Sequence, residues 1–115
     1  VLVVEDDKEI REGVEIYLKS QGYEVFQAAD GIEGLEVIEK EEIHLAIVDI
    51  MMPRMDGYEA SRRIRSLGVS TPITAMTANA FAEDRKKAME AGIDEYLAKP
   101  LEMEELYRVL RRFLG

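Results

Sequence analysis

The sequence predicts a doubly wound α/β layer, a single five-stranded parallel sheet with helices on both faces. Three observations carry this reading. Short apolar runs alternate strictly with segments of helical period along the 115 residues. The connections are long enough to hold a helix, and crossovers of that kind make successive strands parallel and right-handed. The first run, Val1-Leu2-Val3-Val4, is apolar throughout rather than alternating, as in a strand covered on both faces. A chain of this length forms one domain and can bury well over half of its unfolded surface without crosslinks. It contains no cysteine, which excludes a disulfide scaffold, a thiol nucleophile and an iron–sulfur cluster.

Each element follows in order. After Val1–Val4, residues Lys8–Ser20 carry Ile10, Val14, Tyr17 and Leu18 on one helical stripe, and Gly22 ends that helix. Gly13 sits in its middle at a cost of about 1 kcal/mol relative to Ala. Glu24–Ala28 is the second strand. Asp30 caps a second helix that runs to about Glu41, with Leu35 and Ile38 on its stripe. His44–Asp49 is the third strand, which makes His44 a packed or edge histidine rather than a metal ligand. Ile50–Asp56 is a loop fixed by Pro53, followed by a helix from about Gly57 to Leu67 that Gly68 ends. Pro72–Thr77 is strand four, interrupted by the polar Thr74; Ala80–Ala91 is the fourth helix, stopped by Gly92. Glu95–Ala98 and Met103–Leu114 are the last strand and helix. The chain opens inside a strand without an initiator Met, so it is expected to be a piece of a longer polypeptide.

Charge narrows the function. Fifteen basic and 24 acidic side chains give a net charge of −9, the wrong sign for direct nucleic-acid binding. Residues 1–59 hold 5 basic and 16 acidic side chains, residues 60–115 hold 10 and 8, so a cationic ligand belongs near the first half. No apolar run approaches the ~20 residues that cross a bilayer, and no membrane role is expected.

In a doubly wound layer the site lies beyond the carboxyl ends of the strands, where strand order reverses. Glu5-Asp6-Asp7 follow strand one, Asp49 ends strand three, Thr77-Ala78-Asn79 end strand four, and Lys99-Pro100 follow strand five. Two carboxylates about 4 Å apart repel by about 4 kcal/mol at an effective dielectric near 20, so three need a cation. Hard oxygen donors point to magnesium rather than zinc or copper. A dication beside a carboxylate, a hydroxyl and an ammonium can bind a phosphoryl group, with Asp49 as nucleophile and Lys99 and Thr77 on the phosphoryl oxygens.

These residues resemble the receiver domain of two-component response regulators. The matching stretches are VLVVEDD at 1–7, AIVDIMMPRMDG at 46–57, ITAMTANA at 73–80 and DEYLAKPL at 94–101, in the family's order along nearly the whole chain. The resemblance implies a flavodoxin-like (βα)5 fold of strand order 2-1-3-4-5. It implies a phosphoacceptor at Asp49 and Mg2+ (or Mn2+) held by Asp6, Asp49 and the Met51 carbonyl, with Glu5 completing the acid pocket through water. Lys99 would pair with a phosphoryl oxygen, Thr77 would bond another and report phosphorylation, and Tyr96 would be the aromatic switch. Met51 and Asn79 would border the hydrolytic water and set the phosphoryl lifetime. The Lys99–Pro100 bond would be cis, and Asp7, one place beyond the acid pair, would cap the first helix. Glu5 stands where many members have Asp. The first half resembles receivers attached to winged-helix transcription factors, the second half receivers fused to hybrid histidine kinases.

The implied location is the cytoplasm, and the implied partners are a histidine kinase or histidine phosphotransfer domain and an output domain. Ile16 and Leu101 are candidates for docking the phosphodonor. Helix four, strand five and helix five form the switching face, where Arg108, Arg111 and Arg112 are expected to pair with Asp94 and Glu95 of a second copy in a homodimer. Three rivals stand beside this reading, one of them a degenerate receiver that only scaffolds, against which every chemical position is filled. A metal-dependent aspartyl-phosphate phosphohydrolase of the haloacid-dehalogenase type wants an Asp at position 51, where this chain has Met. A flavin-binding module wants a Ser/Thr/Gly-rich loop where Glu5-Asp6-Asp7 stand.

Overall fold

The structure, a computed structural model, describes residues 1–52, 55–78 and 85–115, the last segment including only the backbone of residue 85. Strands and helices alternate as β1 (Leu2–Val4), α1 (Lys8–Ser20), β2 (Phe26–Ala28), α2 (Gly31–Lys40), β3 (Ala46–Asp49), α3 (Gly57–Ser66), β4 (Ile73–Thr77), α4 (Arg85–Ala91), β5 (Glu95–Ala98) and α5 (Met103–Leu114). All strand pairs are parallel and the order is β2-β1-β3-β4-β5. The order reverses between β1 and β3, so their carboxyl ends flank the crevice where such sheets bind ligands.

Local chemistry sets the boundaries. Asp7 accepts from the amides of Glu9 and Ile10, Asp30 from that of Glu33, and Asp56 from that of Glu59, capping α1, α2 and α3. Glu33 also reaches back to the Ala29 amide at 2.6 Å, closing a reciprocal pair around the start of α2. Gly22, Gly68 and Gly92 follow α1, α3 and α4 at φ of 89°, 79° and 85°, a region that side chains with a Cβ avoid.

The strands separate two apolar layers. Leu2, Val4, Val48, Ile73 and Ala75 pack with α2, α3 and α4; Val3, Ile47, Met76 and Leu97 pack with α1 and α5. Thr74 is fully buried in β4, and its hydroxyl has no hydrogen-bond partner among the described residues. It lies between Ile73 and Ala75, so strand alternation turns it toward the α1–α5 layer.

Strand one begins at Leu2 rather than Val1, and three further predicted boundaries change for physical reasons. Strand two shortens from Glu24–Ala28 to Phe26–Ala28, because this edge strand pairs only with Leu2–Val4. Strand four begins at Ile73: the Pro72 carbonyl accepts from the Ala46 amide, but proline has no N–H to extend the ladder. Strand three begins at Ala46, which leaves His44 outside it and exposed, 3.6 Å from Glu42, instead of packed or on a strand edge. The first five positions of the predicted fourth helix, 80–84, lie outside the described residues, as does Pro53. Among the described residues no helix is long and apolar enough to cross a membrane.

Candidate functional site

The carboxyl ends of β1 and β3 bring Glu5, Asp6 and Asp49 together, with one carboxylate oxygen from each within 4.8 Å of the others. Glu5 and Asp49 are buried and Asp6 is exposed. The Glu5 amide donates to the Ala28 carbonyl at 3.0 Å, which fixes the acid pair to the end of the β1–β2 ladder. Glycine at 57 allows α3 to start against this site. A Cβ there would stand 2.6 Å from the Asp49 carbonyl oxygen, while the Gly57 amide donates to Ile50 O at 3.0 Å.

Lys99 arrives from the end of β5. Its ammonium lies 2.9 Å from Glu5 Oε1 and 3.0 Å from Asp49 Oδ2. The Met51 amide donates to Asp49 Oδ1 at 3.2 Å, so both Asp49 oxygens are engaged. Glu5 Oε2 is buried without a partner among the described residues. Burial, and then the neighbouring Asp49 carboxylate, push the Glu5 carboxyl up to about 8 against the pull of Lys99. Burial works against the Lys99 ammonium too, but Glu5 and Asp49 outweigh it and hold its pKa above the ordinary value. Among the described residues the Lys99 ammonium thus pairs with two of the three clustered acids, and the site has acceptor capacity to spare.

That surplus fits a hard dication. The donors are all oxygens, and the partnerless buried Glu5 oxygen is the kind of atom that an ion or its bound water satisfies. Zinc or copper would want nitrogen or sulfur donors, and none is in the cluster.

The other predicted residues are placed as follows. Thr77 ends β4, buried, and its carbonyl accepts from the Lys99 amide at 2.8 Å. The register pairs Ala75 with Tyr96 and Thr77 with Ala98, which puts Tyr96 on the same sheet face as Thr77, toward α4. The Tyr96 hydroxyl is buried with no partner among the described residues. The Lys99–Pro100 peptide is cis. Met51 is exposed beside Asp49, and Asn79 lies outside the described residues. Leu101 joins Ile10, Val14, Pro100 and Met103 in a shallow apolar groove of about 210 Å³ between α1 and the start of α5; Ile16 is exposed and is not part of it.

One predicted set of pairings takes a different form. Arg108 and Arg112 reach Glu95 of their own chain at 3.1 and 2.6 Å, and Asp94 pairs with Arg65 at 3.0 Å. Both acids expected to face a second copy are engaged within the chain, because β5 and α5 lie side by side and Glu95 points to the α5 layer. Arg111 contributes its carbonyl to the Gly115 amide. Sequence reasoning also missed Arg65 and Arg11. Arg65 donates to the carbonyls of Val69, Thr71 and Gly92 and to Asp94. Arg11 donates to the Glu5 carbonyl at 2.6 Å and to Gln27 Oε1 at 3.0 Å. Their partners are mostly main-chain oxygens, which leave no mark in a sequence.

Comparison with known proteins agrees with this geometry. The family model described as the response regulator receiver domain matches residues 1–111. The response regulator MprA of Mycobacterium ulcerans is 41% identical over 99% of this chain and 49% of its own length, and that of Mycobacterium leprae is 40% identical over 99% and 50%. The chain therefore spans about half the length of the curated relatives it matches. Among solved structures, the chemotaxis protein CheY4 of Vibrio cholerae superposes with a TM-score of 0.93 at 35% identity, covering 98% of this chain and 96% of that one. The receiver domain of sensor histidine kinase PA1611 from Pseudomonas aeruginosa superposes with a TM-score of 0.89 at 40% identity, covering 99% and 95%, and holds a magnesium ion coordinated in its active-site cleft. With the parallel 2-1-3-4-5 sheet and an acid crevice at its switch point already in place, these matches make the chain a member of the response regulator receiver domain family.

Proposed function

We propose that Asp49 accepts a phosphoryl group from the phosphohistidine of a partner kinase or phosphotransfer domain. A carboxylate oxygen of Asp49 attacks phosphorus; the new O–P bond forms as the P–N bond breaks, and the donor imidazole leaves. Asp6, Asp49 and the Met51 carbonyl would hold Mg2+ or Mn2+, with Glu5 acting through water. Bound there, the ion supplies positive charge to phosphoryl oxygens during transfer. Lys99 exchanges its carboxylate partners for a phosphoryl oxygen, and the Thr77 hydroxyl takes another. The observation that carries the reading is the Lys99 ammonium lying between Glu5 and Asp49, at 2.9 and 3.0 Å.

Signalling then runs from Thr77 to Tyr96, whose shared sheet face supports the pairing. The face of α4, β5 and α5 changes shape and controls an output domain in the longer cytoplasmic protein of which these residues are the receiver, or a homodimer. A swing of that face from 1:99 to 99:1 needs about 5.5 kcal/mol of differential stabilisation. The Leu101 groove and Ile16 dock the phosphodonor, and Met51 and Asn79 set how long the phosphoryl group survives.

The test is intact mass with acetyl phosphate, with and without Mg2+, followed by mapping of the adduct. One phosphoryl increment on Asp49, dependent on the ion and absent in Asp49→Asn, is expected. Uptake of one group by Asp49→Asn at the wild-type rate overturns the assignment, and sustained turnover of a small phosphate ester would favour a phosphohydrolase.

A further inference from the structure

The geometry points to Arg11 as a positioning residue for the ion site, acting through the main chain of Glu5. The inference rests on the reading of Glu5, Asp6 and Asp49 as that site. Arg11 lies in the second turn of α1, and its guanidinium spans two elements. Nη1 donates to the Glu5 carbonyl at 2.6 Å and Nε donates to Gln27 Oε1, on β2, at 3.0 Å. The Glu5 carbonyl belongs to the peptide that joins Glu5 to Asp6, one residue past the end of β1. The two carboxylates flanking that peptide, one buried and one exposed, each place an oxygen within 4.8 Å of the other. Orienting the peptide plane orients both.

Among the described residues no other hydrogen bond reaches that carbonyl. The β1 ladder stops at Val4, and the neighbouring contact, from Glu5 N to Ala28 O, fixes only the amide side of the residue. A charge-assisted bond from a planar, forked donor holds a direction better than a solvating water or a flexible ammonium. Gln27 holds the guanidinium in turn, so the brace has two members. Partners that orient ligands in this way typically contribute about 10–100-fold to metal affinity. The charge of Arg11 alone would act in the opposite sense, repelling a dication.

The two senses make the test decisive. Mg2+ is titrated into the full chain and followed by amide chemical shifts of Asp6, Asp49 and Met51, with thermal stability of the ion-free proteins recorded alongside and Asp6→Ala as the control that loses the site. Arg11→Ala and Gln27→Ala are expected to weaken Mg2+ binding about tenfold and threefold respectively. Arg11→Lys, which keeps the charge and loses the fork, is expected to behave like Arg11→Ala. Affinity within twofold of wild type in Arg11→Ala, or tighter binding as simple charge removal would give, overturns the role of Arg11 when Asp6→Ala has lost its response. Absence of any ion-dependent shift in the wild-type chain overturns the site reading and the role of Arg11 with it.

Discussion

Two cationic hubs hold this sheet together, and they are built on opposite principles. At the carboxyl ends of β1, β3 and β5, Lys99 serves Glu5 and Asp49 while Asp6 stands close by and one Glu5 oxygen has no partner among the described residues. Near the start of β4 and β5, Arg65 meets the carbonyls of Val69, Thr71 and Gly92, and Asp94 Oδ2 accepts both from Arg65 and from the Ile73 amide at 2.9 Å. In the second hub donors and acceptors match; in the first, acceptors outnumber them. A balanced hub fastens segments, whereas an unbalanced one has capacity left for a ligand.

The sharpest break of that contrast is Arg65→Ala. It strands several partly buried acceptors at once and is expected to lower stability by about 3 kcal/mol in chemical denaturation. Mg2+ affinity and phosphoryl uptake should be unchanged, and a matching loss of uptake would show that the hubs are not independent.

Glu5→Gln tests the surplus itself. The Glu5 carboxyl is raised to about 8 in the folded chain against an ordinary value of 4.5. The folded state therefore holds its proton after the unfolded state has released it. The resulting stability is full below about 4.5 and is lost as pH rises through about 8. Without divalent ions, Glu5→Gln should gain on wild type by on the order of 2 kcal/mol between pH 5 and pH 8. A difference that stays flat with pH would show that Glu5 is not the strained acid.

The smallest effect is expected at Thr74, whose buried hydroxyl has no partner among the described residues. Thr74→Val keeps its shape and should raise stability by about 1 kcal/mol, measured as a shift in Tm with phosphoryl uptake unchanged.

The contrast also explains what could be read from the sequence. The unbalanced hub was legible because its members are acids, a lysine and a hydroxyl at strand ends, and polar residues stand out against apolar runs. The bounds of α1, β5 and α5 were legible for a related reason: Gly22, Gly92 and the stripe of Leu106, Val109 and Leu110 are local signals. The Arg65 hub was not legible. Its acceptors lie up to 29 residues away and include main-chain oxygens common to every residue type. The length of β2 depends on how many residues of β1 it faces, and the pairing of Arg108 and Arg112 with Glu95 depends on which neighbour lies nearer in space. Neither is encoded in a local pattern. Asp56 falls between: in sequence it closes the loop before Gly57, and in space its side chain caps α3 at 2.8 Å.

The rung between the Lys99 amide and the Thr77 carbonyl, at 2.8 Å, has a consequence of its own. It yokes the residue that bears the ammonium to the one that bears the hydroxyl. Whatever pulls on either side chain drags a common backbone tether, so the tips of β4 and β5 travel together, and a spectroscopic label on one reports the displacement of both.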